Sequence, residues 1–298
     1  MSIKKSKGRI AFEIINAVIL VSAALTCLLP FINLLAVSLS SRSAAATGEI
    51  MFWPVDFDLS AYKFIIQSDK FFRALGISIV RVILGVIINI VLVVITAYPL
   101  SKSSKNFKSR TAYSWFFIFT MLFVPSLIPS FIVVQSFGLI DTIWALLLPG
   151  ALPIFNMVVM LNFFRNLPKE LEEAALIDGA GHWTILWKIF IPLSTPSIAT
   201  ITLFCIVGHW NAWFDGMIYM NHPENYPLQS YLQTIVINPE SIMRVMNPTD
   251  EMAKLLQTLS NQTARAAQLF VATIPVLVAY PFLQKYFTTG LVMGSVKE

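Results

Sequence analysis

Polar side chains able to do chemistry fall into two groups along this chain. One is a polar interruption, Lys169 to Pro192, reading KELEEAALIDGAGHWTILWKIFIP, set between long apolar blocks. The other is His209, Trp210, Asn211, Trp213 and Asp215, an aromatic and polar cluster inside an apolar segment. Neither offers a nucleophile beside a base. The 2 cysteines, Cys27 and Cys205, lie in apolar runs and the 3 histidines are scattered, whereas a zinc site needs three or four converging ligands. No H-E-x-x-H, G-x-S-x-G or G-x-x-x-x-G-K-[ST] pattern occurs, so neither catalysis, a metal site nor a phosphate loop for ATP is expected of this chain. The cluster could instead recognise a solute. Indole rings stack on flat sugar faces while Asn and Asp bind hydroxyls, which makes Trp210, Asn211, Trp213, Asp215 and Asn156 a possible substrate path, with Asn89 and Asn162 behind them. A structural reading is equally physical, since Trp anchors at membrane interfaces and Asn bonds neighbouring helices.

The interruption reads as two short helices around a sharp turn. Pro168 suits a first helical turn, and Glu170, Glu172 and Glu173 complement the positive end of the helix dipole. Leu171, Ala174, Ala175 and Ile177 or Asp178 form one small, apolar face. Gly179, Ala180 and Gly181 permit a tight reversal, and a second helix is expected from Trp183 to Phe190, stopping before Pro192. The product is a compact knob suited to a groove on another protein.

Glu173, Ala174, Ala175, Gly179, Ile189 and Pro192 stand at the spacing of the EAA loop, E-A-A-x3-G-x9-I-x-L-P, with Ile191 in place of the Leu. In this the chain resembles the permease subunits of bacterial ABC importers. The continuation Ile177 to Ala180 is similar to the carbohydrate-uptake branch, which includes the maltose permease subunits. Gly138, Leu139, Ile140 and Asp141, and the ending Gly290 to Lys297, resemble the same branch. The resemblance covers most of the chain from its second span onward and extends faintly to permeases for oligosaccharides from complex polysaccharides.

The resemblance implies a multi-pass protein of the bacterial plasma (inner) membrane. Its implied partners are a second homologous permease, two ATPase subunits that bind ATP and Mg, an extracytoplasmic solute-binding protein and a sugar or oligosaccharide. Glu173 becomes the polar anchor to an ATPase, Ala174 and Ala175 allow close approach, Gly179 makes the turn, and Asp178, Ile189 and Pro192 belong to the same coupling surface. Gly290, Gly294 and Lys297 belong to a tail implied to enter between the ATPase subunits.

The elements that would position these residues follow from composition. With 56% hydrophobic residues, 12% charged and mean hydropathy +0.72, the chain has about half the charge of a soluble domain and reads as an integral membrane protein. Its net charge of +5 sits beside apolar segments, which indicates topology and no nucleic-acid partner.

The expected architecture is an all-α membrane protein with six transmembrane helices, the EAA loop on the cytoplasmic side between helices 4 and 5, and both termini cytoplasmic. Lys4, Lys5, Lys7 and Arg9 precede a first span, Ile10 to Leu39, too long for a cleavable signal segment. An external loop, Arg42 to Phe71, leads to span two, Phe72 to Leu100, whose first turns Arg73 and Arg81 make doubtful. Lys102, Lys105, Lys108 and Arg110 mark a cytoplasmic loop. Span three, Tyr113 to Val134, is expected to kink at Pro125 and Pro129, and span four, Ile143 to Phe164, at Pro149, Gly150 and Pro153. Span five runs Ser194 to Met220, an external loop Asn221 to Thr263, and span six Ala266 to Tyr286. The expected divisions are 1–71 for the first span and loop, 72–290 for the permease core, and 291–298 for the tail. An ion-coupled secondary transporter or a non-transporting membrane protein is the alternative, but no inverted repeat is evident.

Overall fold

The computed structural model describes residues 6–237, 262–275 and 277–278. Among the described residues the fold is all-helical, with a single isolated bridge between Ser40 and Phe57. The chain forms two compact units.

The first unit lies within Met1–Asp69 and Thr234–Ile274. Its α1 (Lys7–Ser38) starts where the Ser6 hydroxyl accepts the Arg9 N–H, and its apolar middle is uncovered. Two short helices, α2 (Arg42–Thr47) and α3 (Ser60–Ile66), occupy the expected external loop. Ala36, Ala44, Ala45 and Ile50 form a small cluster there, and the Ser38 hydroxyl meets the Tyr62 hydroxyl at 2.8 Å.

The second unit lies within Lys70–Gln233 and Pro275–Glu298. Its first helix, α4 (Asp69–Ser101), is the only described helix besides α1 that is continuous, long and apolar enough to cross a membrane. Expected span three breaks into α5 (Arg110–Leu122) and α6 (Leu127–Ser136), which meet at 114°. Pro125 disfavours helical backbone at Val124, whereas Pro129 falls in the first turn of α6, where no N–H is needed. The expected span four is interrupted too, as α7 (Ile143–Leu147) and α8 (Ile154–Arg165).

After α9 (Lys169–Ile177) comes α10 (His182–Ile185), a π-helical turn Leu186–Phe190, and α11 (Ile191–Leu193). The expected stop before Pro192 is therefore wrong. The wider π turn changes the hydrogen-bond register just ahead of Pro192, so a residue without an N–H fits there. α12 (Thr195–Asn211) leaves this segment at 81°. Span five is also not one helix to Met220: α12 ends at Asn211, and α13 (Phe214–Tyr219) begins after a break at Ala212 and Trp213. α14 (Leu228–Ile237) follows, and residues 262–275 are helical again as α15.

Counting each bent pair as one span, the described residues supply up to four candidate spans plus the shorter apolar α8. Most of the expected loop to Thr263, and span six beyond residue 278, lie outside the described residues. The core of the second unit joins α4, α8, α10, the π turn and α12 through Val93, Ala97, Met160, Ile185, Phe190 and Ile201.

Candidate functional site

The knob is built on one glycine. Gly179 has φ +79°, the left-handed region that disfavours side chains. Its N–H donates to the Leu176 carbonyl at 3.0 Å and the Ala180 N–H to the Ala175 carbonyl at 2.9 Å. These two bonds are the Schellman pair that closes a helix on a left-handed residue. Pro168 occupies the N-cap of α9, one position before the first turn.

The knob's predicted residues divide by exposure. Glu173, Ala174, Asp178, Gly179 and Pro192 are exposed, while Ala175 and Ile189 are half-buried and pack on the core with Ala180 and Ile191. The small face is narrower than expected: Leu171, Leu176 and Ile177 point outward, Ile177 at 86% exposure.

Glu172 turns inward, which sequence reasoning missed. Its carboxylate pairs with the Lys102 ammonium at 2.7 Å, and the two side chains are only 17% and 7% exposed. The Lys102 Nζ also lies 3.8 Å from the Tyr98 ring centre and 4.2 Å from that of Phe190. Burial pushes the Lys102 ammonium below its ordinary pKa, opposed by the Glu172 carboxylate. Arg165 donates to the Leu100 carbonyl at 3.2 Å and Arg110 to the Lys102 carbonyl at 2.9 Å, so cations complete the negative end of α4. The one sequence signal for Lys102 is the basic run after Ser101, which the positive-inside rule explains equally well.

A second constellation lies along one stripe of α4: Ser78, Arg81, Gly85 and Asn89, all at helical spacing. Arg81 is buried inside the helix, donating to both carboxylate oxygens of Asp215 and to the Ala212 carbonyl at 3.3 Å. Asn89 donates to the Gly150 and Ala151 carbonyls at 3.0 and 2.7 Å, satisfying backbone freed by the break between α7 and α8, and its amide oxygen lies 2.7 Å from His209 Nε2. The His209 ring occupies the space that a side chain at Gly85 would fill. The Ser78 hydroxyl accepts the Leu228 N–H at 2.7 Å.

The predicted path residues therefore separate. Trp210 is buried, Asn156 is buried against the Cys205 sulfur at 3.4 Å, and Asp215 is engaged by Arg81. Asn211 and Trp213 remain exposed. The loop expected between spans three and four turns through positive φ at Gly138 and Asp141. Burial raises the Asp141 pKa, but hydrogen bonds involving Asn225, His222 and Asn221 outweigh it and hold the carboxyl below its ordinary value. Gly290, Gly294 and Lys297 lie outside the described residues.

The sequence profile of the family described as binding-protein-dependent transport system inner membrane component matches residues 90–293. The chain belongs to this family. It is an inner-membrane permease component, non-enzymatic as the family is, and the match takes in both the knob and His209 to Asp215. Protein LplC of Bacillus subtilis strain 168 is 37% identical over 290 residues, 97% of this chain and 96% of that protein. The polygalacturonan/rhamnogalacturonan transport system permease protein YtcP of the same organism is 37% identical over 286 residues, 96% of this chain and 98% of its own length. A chain in the crystal structure of a bacterial ABC transporter involved in the import of the acidic polysaccharide alginate superposes with a TM-score of 0.83 at 34% identity, covering 96% of this permease and 100% of that chain.

Proposed function

We propose that this permease is one half of the membrane channel of an ATP-driven importer of oligosaccharides released from polysaccharides. It pairs with a second, homologous permease, receives its solute from an extracytoplasmic binding protein, and rests on two ATPase subunits that bind ATP and Mg. Six spans with both termini in the cytoplasm place the knob on the ATPase side, between spans four and five. Relatives named for polygalacturonan, rhamnogalacturonan and alginate transport support the substrate class.

The observation that carries this reading is the exposed Glu173 and Ala174 on a helix fixed by the Gly179 turn and braced by Lys102. Closure of the ATPase pair around ATP moves the knob, and the attached spans swing the cavity between inward and outward access. Glu173 meets a basic residue of the ATPase, and Ala174, Ala175 and Asp178 line the contact. Ile189 and Pro192 carry the displacement into α12, and the tail at Gly290, Gly294 and Lys297 adds a second contact. Asn211 and Trp213 offer the open polar and aromatic surface for a sugar.

The test is purification of the tagged chain from its native membrane, followed by reconstitution with binding protein and ATP. Co-purifying ATPase and second permease, with ATP-dependent oligosaccharide uptake, are the expected result. Glu173→Arg should abolish uptake and binding-protein-stimulated ATPase while leaving thermal stability unchanged, because its side chain faces solvent. Uptake that persists in Glu173→Arg, or that follows an ion gradient without ATP, overturns the reading.

A further inference from the structure

Over most of its length α1 is uncovered apolar surface. Charge fixes where its hydrocarbon stretch begins: the exposed Arg9–Glu13 pair, at 3.4 Å, belongs at the polar boundary. From Glu13 to Asn33 is about 20 residues, or about 30 Å of helix, the thickness of the hydrocarbon layer. Asn33 thus marks the opposite boundary. Its amide donates to the carbonyls of Ile50 at 3.0 Å and Met51 at 2.7 Å. The chain after α2 has therefore folded back along α1 to the level of that boundary.

The returning loop is pinned further out as well. The Ser41 N–H donates to the Val55 carbonyl at 3.2 Å and the Asp58 N–H to the Leu39 carbonyl at 2.9 Å. The Val55 N–H donates to the Ser40 hydroxyl at 3.0 Å. Within this frame Ile50 turns inward onto Ala36, Ala44 and Ala45. Met51, Phe52 and Trp53 turn outward, Trp53 at 82% exposure, and the charges nearest them in sequence are Glu49 and Asp56. An indole held outward at boundary depth, beside a helix whose apolar side chains are uncovered, matches the amphipathic layer where Trp partitions.

We propose that Met51–Trp53 is a foot seated in the lipid headgroup layer, with Trp53 as its anchor, setting the depth of α1. The foot would act on any bilayer of ordinary thickness, whatever solute the importer carries.

The test uses the assembled importer in phosphatidylethanolamine–phosphatidylglycerol vesicles whose acyl chains carry bromine either near the headgroup or near the methyl end. Subtracting the Trp53→Phe fluorescence from that of the unaltered protein isolates Trp53. Its emission should be quenched roughly twofold more by the shallow bromines than by the deep ones, as an interfacial ring requires. Should Trp53→Phe fail to assemble, a nitroxide at Met51→Cys, with Cys27 and Cys205 replaced, gives a second reading. Its oxygen accessibility should fall between those of labels at Leu20→Cys and Glu49→Cys. Quenching by aqueous acrylamide with none by bromolipid puts the loop in water and overturns the proposal. Shielding from both quenchers, or shielding that arises only when binding protein is added, assigns the surface to a protein partner and overturns it equally.

Discussion

Replacing Lys102 with Met keeps the length of the side chain and its apolar contact with the Tyr98 and Phe190 rings while deleting the charge. The Glu172 carboxylate, 17% exposed, would then lose its ammonium partner. Removing one partner of a buried pair typically costs about 3–5 kcal/mol, and the residual exposure of Glu172 puts the expectation at the lower end, about 3 kcal/mol. At about 2–4 °C per kcal/mol for a domain of this size, thermal unfolding in detergent should shift down by roughly 6–12 °C. The double variant Lys102→Met/Glu172→Leu should return to within about 1 kcal/mol of the native protein, because apolar replacement of a whole buried pair is close to neutral. The pair meets at 2.7 Å, and the attraction of opposite charges is what the substitution removes. The pH dependence carries the opposite sign from that of an ordinary ion pair. The folded-state pKa of Lys102 lies below its ordinary 10.5, burial being the largest cause. Between those two values the unfolded chain binds more protons, so this group makes stability rise with pH there. Lys102→Met removes that contribution. A Lys102→Met variant as stable as the native protein, or a double variant less stable than Lys102→Met, would refute the reasoning.

Gly179→Ala places a methyl group where nothing lies within 4 Å, at φ +79°, so its cost is backbone strain alone, about 1–2 kcal/mol. Gly179→Pro, with φ fixed near −65°, loses the turn and its N–H bond to Leu176, and the amount of ATPase subunit co-purifying should fall with it. Asp215→Asn strips the counter-charge from buried Arg81 and should cost about 3–5 kcal/mol, seen as loss of monodisperse protein in size-exclusion chromatography. Arg81→Leu/Asp215→Leu should recover that stability. Uptake that stays low in the recovered double variant would assign the Arg81–Asp215 pair a part in transport beyond stability.

The knob was legible because its rules are local. A Glu–Ala–Ala run, a glycine and a proline at fixed intervals specify a helix, a left-handed closure and a second helix without reference to the rest of the chain. The breaks at Pro125 and around Gly150 were legible for the same reason. Arg81 was not. Within an apolar run an arginine counts only against the span's first turns, and the fold alone brings Asp215 to it across a long sequence separation. Lys102 and Glu172 failed in the same way, each explained by a nearer cause, topology for one and helix dipole for the other. The end of span five was misread because hydropathy continues through Ala212 and Trp213 while the backbone does not.

α4 links the two constellations. At one end it holds the knob through Lys102 and the Tyr98 ring, which packs edge-on against Phe190 at 5.0 Å. Along its stripe it holds the two broken segments, α7–α8 through Asn89 and α12–α13 through Arg81 and, by way of Asn89, His209. Helix interiors resist deformation, because shifting one turn breaks bonds along the ladder. At Gly150 and Ala151 the carbonyls rest on one asparagine side chain, and at Ala212 on one arginine. In the proposed cycle a force on α9 passes along α4 as a rigid body and is taken up at these two breaks. Asn89→Leu should therefore loosen the coupling of ATP hydrolysis to uptake while the knob still binds its ATPase. A variant that keeps the native ratio of uptake to ATP hydrolysed would place the flexing elsewhere.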